Sequence, residues 1–315
     1  MYYLYFPKPL FYATDYGNYL NKLILDTLKI NHFNVNIYVK DHMGNIDNNT
    51  IKNNNNKNIF ISVNYEHTLV KQEGRNATKC ADIARNSPIG NILDKNGNKY
   101  LVRINKIDSL KDSHIIIDYS HTNIVNVKSI ELYKDLSKKH ICISPAFFEN
   151  YHIKENRNIN ILTTFIDLRE CIPLHKKNRI HFYNQLKSSK IKDLYKNINN
   201  CFGLKKLERL YKNTKILINI RQSIYHHTIE EIRILPAIQL GVIVISQDAP
   251  LKEAIPYHDY IIWEPLENII EKAYEVYQNY DKYFNLIYGS KNKKNLNEIH
   301  KDNINILTNK IKMVI

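Results

Sequence analysis

Short apolar runs closed by polar turns recur along this chain: IFISV at 59–63, HIIIDYS at 114–120, KHICISPA at 139–146, KILINI at 215–220, VIVIS at 242–246 and YIIW at 260–263. A strand that is apolar on both faces suits a parallel sheet, where helices cover both sides. Between such runs lie amphipathic patterns, the clearest being NYLNKLILDTLKI, with Leu20, Leu23, Ile24 and Leu28 at helical spacing. Alternation of this kind predicts β-α-β units and an α/β fold.

The first strand is placed at Tyr2–Tyr5 or at Leu10–Ala13, followed by a polar turn over residues 15–18 and the helix just named. FNVNIYVK alternates apolar and polar residues and reads as a strand. The asparagine-lysine tract at 45–58 reads as a solvated loop. NILDKNGNKYLVRI, centred on Asn96-Gly97, is a β-hairpin signal. From about residue 159 a second series begins: strand INILTTFI, helix NRIHFYNQLK, short strand NINNCF, helix LKKLERLYKN, strand KILINI, helix TIEEIRILPAIQL, strands VIVIS and YIIW, helix ENIIEKAYEVYQNY. Two doubly wound, Rossmann-like halves are expected, over 1–150 and 151–300, with a helix near 297–313 and the last segment, 301–315, returning to the first half. Two such halves are expected to face one another across a ligand-binding cleft.

Length and composition narrow the function classes. A chain of 315 residues suggests about two domains and buries a large core without covalent staples. Hydrophobic residues at 43% and charged residues at 24% exclude wholesale disorder and a coiled coil. No apolar run approaches the ~20 residues of a spanning helix, and the N-terminus has no basic leader, so a soluble, cytoplasmic protein is expected. Cys80, Cys142, Cys171 and Cys201 never form C-x-x-C, which argues against a zinc ribbon or a redox pair. The net charge of +14 invites a nucleic-acid reading. The lysines are nevertheless scattered among asparagine, isoleucine and tyrosine, as AT-rich coding dictates, and a positive cleft for a small anionic substrate fits the same charge.

Chemistry concentrates at 218–253. A strand ends at Ile220, a polar turn carries Arg221, Tyr225, His226 and His227, and a helix is expected to open at Thr228. Thr228 and Glu231 have the S/T-x-x-E spacing of a capping box. The unpaired N–H groups and partial positive charge of a helix start seat phosphate well. With Arg221, His226, His227 and Arg233, the junction reads as a diphosphate site without a glycine-rich loop. Each residue has a plainer role: an arginine at a helix start is most often an ion-pair partner, and paired histidines in a turn are most often hydrogen-bonded structure. A metal pair at His227 and Glu230 lacks a third ligand at zincin spacing.

The strand followed by HHTIEEIRILPA and then LGVIVIS resembles the donor-binding half of GT-B glycosyltransferases, particularly bacterial and giant-virus enzymes of the glycosyltransferase group 1 type. The resemblance implies transfer of a sugar from a nucleotide-diphosphate sugar to a hydroxyl of a glycan or glycoconjugate. It implies that an acidic residue of this helix, Glu230 by preference because Glu231 is expected to cap, binds the ribose. Helix-start amides and basic side chains would hold the diphosphate. Pro236 departs from the pattern and is expected to kink or break the helix, and the family's small-x-Gly is matched only by Leu240-Gly241. Phe202, in NCFG, lies where such enzymes contact the nucleobase, and Ser246-Gln247-Asp248 is expected to face the same cleft. Arg169 and Arg179 flank the first strand-to-helix junction of the second half, within reach of the diphosphate. UDP is the nucleotide expected on frequency alone.

In the first half Glu66 and His67 follow strand 59–63, where a carboxylate beside an imidazole can deprotonate an acceptor hydroxyl. Asp15, Asp118 and His121 occupy equivalent strand ends and compete for that role. No two aspartates are separated by one residue, so the D-x-D metal motif of the alternative glycosyltransferase fold is absent. Metal-independent transfer is therefore expected, with side chains and a helix dipole neutralising the leaving group. A non-catalytic sugar-nucleotide binder of the same fold and a basic nucleic-acid-binding protein are the alternatives.

Overall fold

The structure, a computed structural model, describes residues 1–7, 14–41, 46–64, 69–71, 90–93, 99–102, 110–128, 134–153, 156–165, 177–199, 201, 203–221, 228–289 and 295–315. The chain divides into two units, residues 1–145 with 298–315, and residues 146–297.

The first unit runs β1 (Tyr3–Tyr5), α1 (Thr14–Ile30), β2 (Val35–Asp41), β3 (Lys57–Asn64), β4 (Leu69–Lys71), β5 (Gly90–Leu93), β6 (Lys99–Val102), β7 (Ile115–Asp118), α2 (His121–Lys128), α3 (Lys134–Ser137) and β8 (His140–Cys142). Strands β1-β2-β3-β7-β8 form a parallel sheet in that order, while β4-β6-β5 form a separate antiparallel sheet. The second contains the expected hairpin, β5 against β6, although its turn lies outside the described residues. The parallel strands follow one another in sequence order, so among the described residues this sheet shows no reversal of strand order. Leu10–Ala13, the other candidate first strand, also lies outside the described residues.

The turn expected at 15–18 is instead the start of α1. Asp-Tyr-Gly-Asn is turn chemistry, but Tyr16 and Tyr19 are buried and extend the stripe of Leu20, Leu23, Ile24 and Leu28 one turn toward the N-terminus. Burying each such apolar side chain contributes roughly 1.5–3 kcal/mol, which outweighs the helix penalty of about 1 kcal/mol at Gly17. The asparagine tract is exposed yet tied down. Lys52 N donates to Tyr38 Oη at 2.6 Å, and Asn36 Nδ2 donates to Asn54 Oδ1 at 2.7 Å. It thereby joins a row of rings across the sheet, in which Tyr5 faces Tyr38 and Tyr38 faces Phe60 in register, with His114 stacked on Phe60.

The C-terminal helix, α9 (Glu298–Val314), belongs to this unit and packs on α1 and β8. Beneath it His140 is buried, and burial pushes its imidazole down to about 4. The neutral ring is the form the fold favours, so an unfolded chain takes up a proton near pH 6.5 that the folded chain refuses. Stability is therefore full above about pH 6.5 and lost as pH falls toward 4. At pH 5 this one group costs about 2 kcal/mol. Urea denaturation at pH 7 and 5 should show that loss, and His140→Leu should remove about that much of the pH dependence. An unchanged pH dependence in the variant would show that His140 is not its source.

In the second unit the order is β9 (Ile159–Thr163), α4 (Lys177–Lys187), β10 (Tyr195–Asn197), α5 (Leu204–Lys212), β11 (Thr214–Asn219), α6 (Glu231–Gln239), β12 (Ile243–Gln247), β13 (Ile261–Glu264), α7 (Ile269–Gln278) and α8 (Tyr280–Tyr288). The parallel sheet runs β10-β9-β11-β12-β13. Here the order does reverse: the chain steps from β9 outward to β10, then returns to the other side of β9 with β11. The strand expected within NINNCF lies earlier, at Tyr195–Asn197. Helix α6 runs through Pro236 rather than breaking there, the ring being buried with its neighbours Leu235 and Ala237. It ends in a Schellman arrangement: Gly241 N donates to Ile238 O, Val242 N donates to Ala237 O, and Gly241 sits at φ 73°.

Candidate functional site

In open α/β sheets ligands bind outside the carboxyl ends of strands where the strand order reverses. In the second unit that point lies between β9 and β11, and it gathers buried polar side chains. Thr163 and Thr164 close β9, while Ser246 and Gln247 close β12, all less than a tenth exposed. Gln247 is the hub. Its Oε1 accepts from Asn178 Nδ2 at 3.2 Å, in the first turn of α4, and from Arg221 N at 3.3 Å, just beyond β11. Ser246 Oγ accepts from Asn219 Nδ2 at 2.9 Å. The carboxyl ends of β11 and β12 are thus tied to the start of α4.

Two arginines flank this reversal. Arg179, buried in the first turn of α4, lays its guanidinium 4.6 Å from the Phe165 ring centre at the end of β9. Arg221 follows β11 and is half-buried. The third candidate is engaged differently: Arg233 Nε lies 3.0 Å from Glu230 Oε2, and its Nη1 donates to Thr164 O at 3.0 Å. That pair fixes the start of α6 to the end of β9.

The capping box does not form. The helix opens at Glu231, its N-cap is Glu230, and the N-cap side chain makes no capping bond. Thr228 is buried three residues upstream. Glu231 instead turns inward, fully buried, and accepts from Tyr257 Oη at 2.7 Å. A carboxylate in the first turn sits at the positive end of the helix dipole, which offsets part of its desolvation. Neither Tyr257 nor Asn178 was singled out by sequence reasoning, since a tyrosine in a loop and an asparagine at a helix start carry no pattern of their own. Phe202, Tyr225, His226, His227 and Arg169 lie outside the described residues.

The first unit's candidates separate in the same way. Glu66 and His67 lie outside the described residues. Asp15 stands in the first turn of α1. The neighbouring Tyr16 Oη donates to Ile143 O at 2.7 Å, which draws this helix start to the carboxyl end of β8. His121 opens α2 directly after β7, and its Nε2 lies 3.3 Å from Ser144 Oγ. Asp118 ends β7 fully buried, accepting from Asn64 Nδ2 at 2.7 Å and from Ser120 N at 2.9 Å. Asp118 is thus a structural acceptor here, and His121 and the start of α1 are brought to adjacent strand ends. Among the described residues no three His, Cys, Asp or Glu side chains group so as to hold a metal ion. No helix of the described residues is long and apolar enough to cross a membrane.

No family model matches the chain. It is 28% identical over 217 residues to the uncharacterized protein R358 of Acanthamoeba polyphaga mimivirus, over 64% of this chain and 69% of that protein. Among solved structures it is similar to a chain of the GtfA/B complex, at a TM-score of 0.40 and 13% identity, over 95% of this chain. It spans 63% of that chain's length. By its own topology the protein is an α/β chain built on two parallel five-stranded sheets of Rossmann-like kind.

Proposed function

We propose that this protein is a glycosyltransferase in which the second unit binds a nucleotide-diphosphate sugar and the first unit binds and activates a hydroxyl acceptor. The observation that carries the reading is the placement of Arg179 and Arg221 at the carboxyl ends of the two strands between which the order reverses. A dianionic diphosphate placed there meets two guanidinium groups and the first-turn N–H groups of α4. Glu230, which pairs with Arg233 at the start of α6, is on this reading the carboxylate that accepts from a ribose hydroxyl. On this reading a base from Glu66, His67, Asp15 or His121 takes the acceptor proton, and side chains rather than a metal ion neutralise the leaving group. UDP-sugars are the first donors to test.

Arg221→Ala tests the site. Loss of one charge-assisted contact to phosphate is worth roughly 1.5–3 kcal/mol, so UDP should bind about 10- to 100-fold more weakly, while uridine binding barely changes. Calorimetric titration in EDTA measures both. Unchanged UDP affinity in the variant, or UDP binding that appears only when Mn²⁺ replaces EDTA, would show that the site is misassigned.

A further inference from the structure

The C-terminal helix carries a polar side chain where its buried stripe calls for an apolar one. Ile299, Asn303, Leu307 and Ile311 follow one another at four-residue spacing, and all are at most 3% exposed. Asn303 is a two-way clamp on one residue: its Oδ1 accepts from Ser144 N at 3.1 Å and its Nδ2 donates to Ser144 O at 2.8 Å. The same Nδ2 donates to Tyr19 Oη at 2.8 Å, and Tyr19 Oη lies 3.1 Å from His300 Nδ1. The Tyr19 hydroxyl thus bridges Asn303 and His300. Burial pushes His300 down and Tyr19 up, so both stay neutral and the arrangement is self-consistent. Ser144, clamped at its backbone, presents its hydroxyl to His121 Nε2.

From this chain of contacts we infer that Ser144 and Asn303 are positioning residues for His121, which takes the acceptor proton; the inference rests on the transferase reading above. Ser144 Oγ, fixed in place, is a hydrogen-bond partner at His121 Nε2 that holds the orientation of the ring, as an orienting group does for a catalytic imidazole. In the step, the acceptor O–H bond breaks and its proton passes to the unprotonated nitrogen of the His121 ring. The oxygen's electron pair forms the bond to the anomeric carbon, and the bond from that carbon to the diphosphate breaks, its pair leaving on the nucleotide. The C-terminal helix is then part of the acceptor site's support, because its Asn303 holds the residue that orients the base. Three of the participants, Tyr19, Ser144 and Asn303, are less than a tenth exposed, so water does not compete for their bonds.

The test uses the full chain in two measurements. Imidazole nitrogen NMR reports the surroundings of each ring nitrogen, and His121→Gln identifies the His121 signals by their loss. The native His121 signals are expected to be kept in Ser144→Thr and to shift in Ser144→Ala and Asn303→Ala. Should Asn303→Ala fail to fold, Ser144→Ala still decides. The second measurement is nucleotide diphosphate release from pooled nucleotide sugars with pooled glycan acceptors. Ser144→Ala should lower kcat by about 10²-fold, the size of effect a misplaced catalytic group produces, with donor KM unchanged and Ser144→Thr restoring it. Unshifted His121 signals in Ser144→Ala, or shifted signals with native kcat, overturn the positioning role. A native protein that releases no nucleotide from any donor overturns the transferase reading instead, and the imidazole spectrum then decides the positioning by itself.

Discussion

Arg157→Met should destabilise the protein by about 3–5 kcal/mol, read as a shift in urea denaturation. Arg157 is 5% exposed and donates to four backbone oxygens: Ile153 O at 2.7 Å, Tyr211 O at 3.0 Å, Thr214 O at 2.6 Å and Leu240 O at 2.6 Å. Tyr211 lies in the last turn of α5 and Leu240 is the C-cap of α6. The guanidinium therefore sits against two helix C-termini, whose partial negative charges stand in for a carboxylate. Methionine keeps much of the volume and leaves these acceptors without their donor, at roughly 1–3 kcal/mol for each that water does not reach. Arg157→Lys should recover only part of the loss, since one ammonium cannot reproduce the planar fork.

Gly241 gives that prediction a second handle. A Cβ there would lie 2.8 Å from Arg157 Nη2 and 2.9 Å from Tyr151 O, and the residue holds φ 73°. Gly241→Ala should cost about 1–3 kcal/mol in backbone strain alone, with the clash in addition. In the Arg157→Met background the guanidinium contact is gone while the Tyr151 contact remains, so the double variant should lose less than the two single losses combined. Residues in direct contact typically couple by about 0.5–3 kcal/mol. Strict additivity would mean that Gly241 is needed for its dihedral and not for the closeness of Arg157. This is the physical content of the Leu240-Gly241 pair, which in sequence is only an approximate match to a family pattern.

What was legible in the sequence follows from what each residue is asked to do. The central strands β3, β7, β11 and β12 were placed nearly to the residue, because burial on both faces leaves an apolar run with little else it can be. The short edge strand β10 is not legible, since Tyr195–Asn197 has no such run. Turn residues hide the start of α1 in the sequence, and only the burial of Tyr16 shows that the helix has begun. Strand order was not legible in either unit: the sequential first sheet and the reversed second sheet arise from the same β-α-β pattern.

The candidate site divides along similar lines. Arg221 and Arg179 could be flagged because basic residues at strand ends suggest an anion. The helix start could not be fixed from Thr228 and Glu231, because S/T-x-x-E spacing says nothing of where Tyr257 lies, and the bond to Tyr257 turns Glu231 inward. Asn303 did have a signal, an amide at an i+4 position of an otherwise apolar stripe. Its partner Ser144 had none, since it is contributed from 159 residues away in sequence.

Asp118→Ala should cost about as much as Arg157→Met, about 3–5 kcal/mol, and for the opposite chemical reason. Here a buried acceptor is removed and donors are orphaned. Asn123 Nδ2 reaches both carboxylate oxygens, at 3.1 and 3.2 Å, beside the bonds from Asn64 and Ser120 N. Hydrogen bonds to a charged group contribute roughly 1.5–3 kcal/mol each, and alanine leaves two amides and one peptide N–H in a site with none of them exposed above 1%. Asp118→Asn retains one oxygen but turns an N–H₂ toward groups that already donate, so it should recover about half of the loss. Urea denaturation at neutral pH orders the two. Equal stability of Asp118→Asn and the native protein would mean that the donors are satisfied without an ionised carboxylate. Because the Ser120 N–H bond shapes the turn from β7 into α2, the alanine variant should also release His121 from its place opposite Ser144. The His121 imidazole signals should therefore shift in Asp118→Ala even at denaturant concentrations where the protein is still folded.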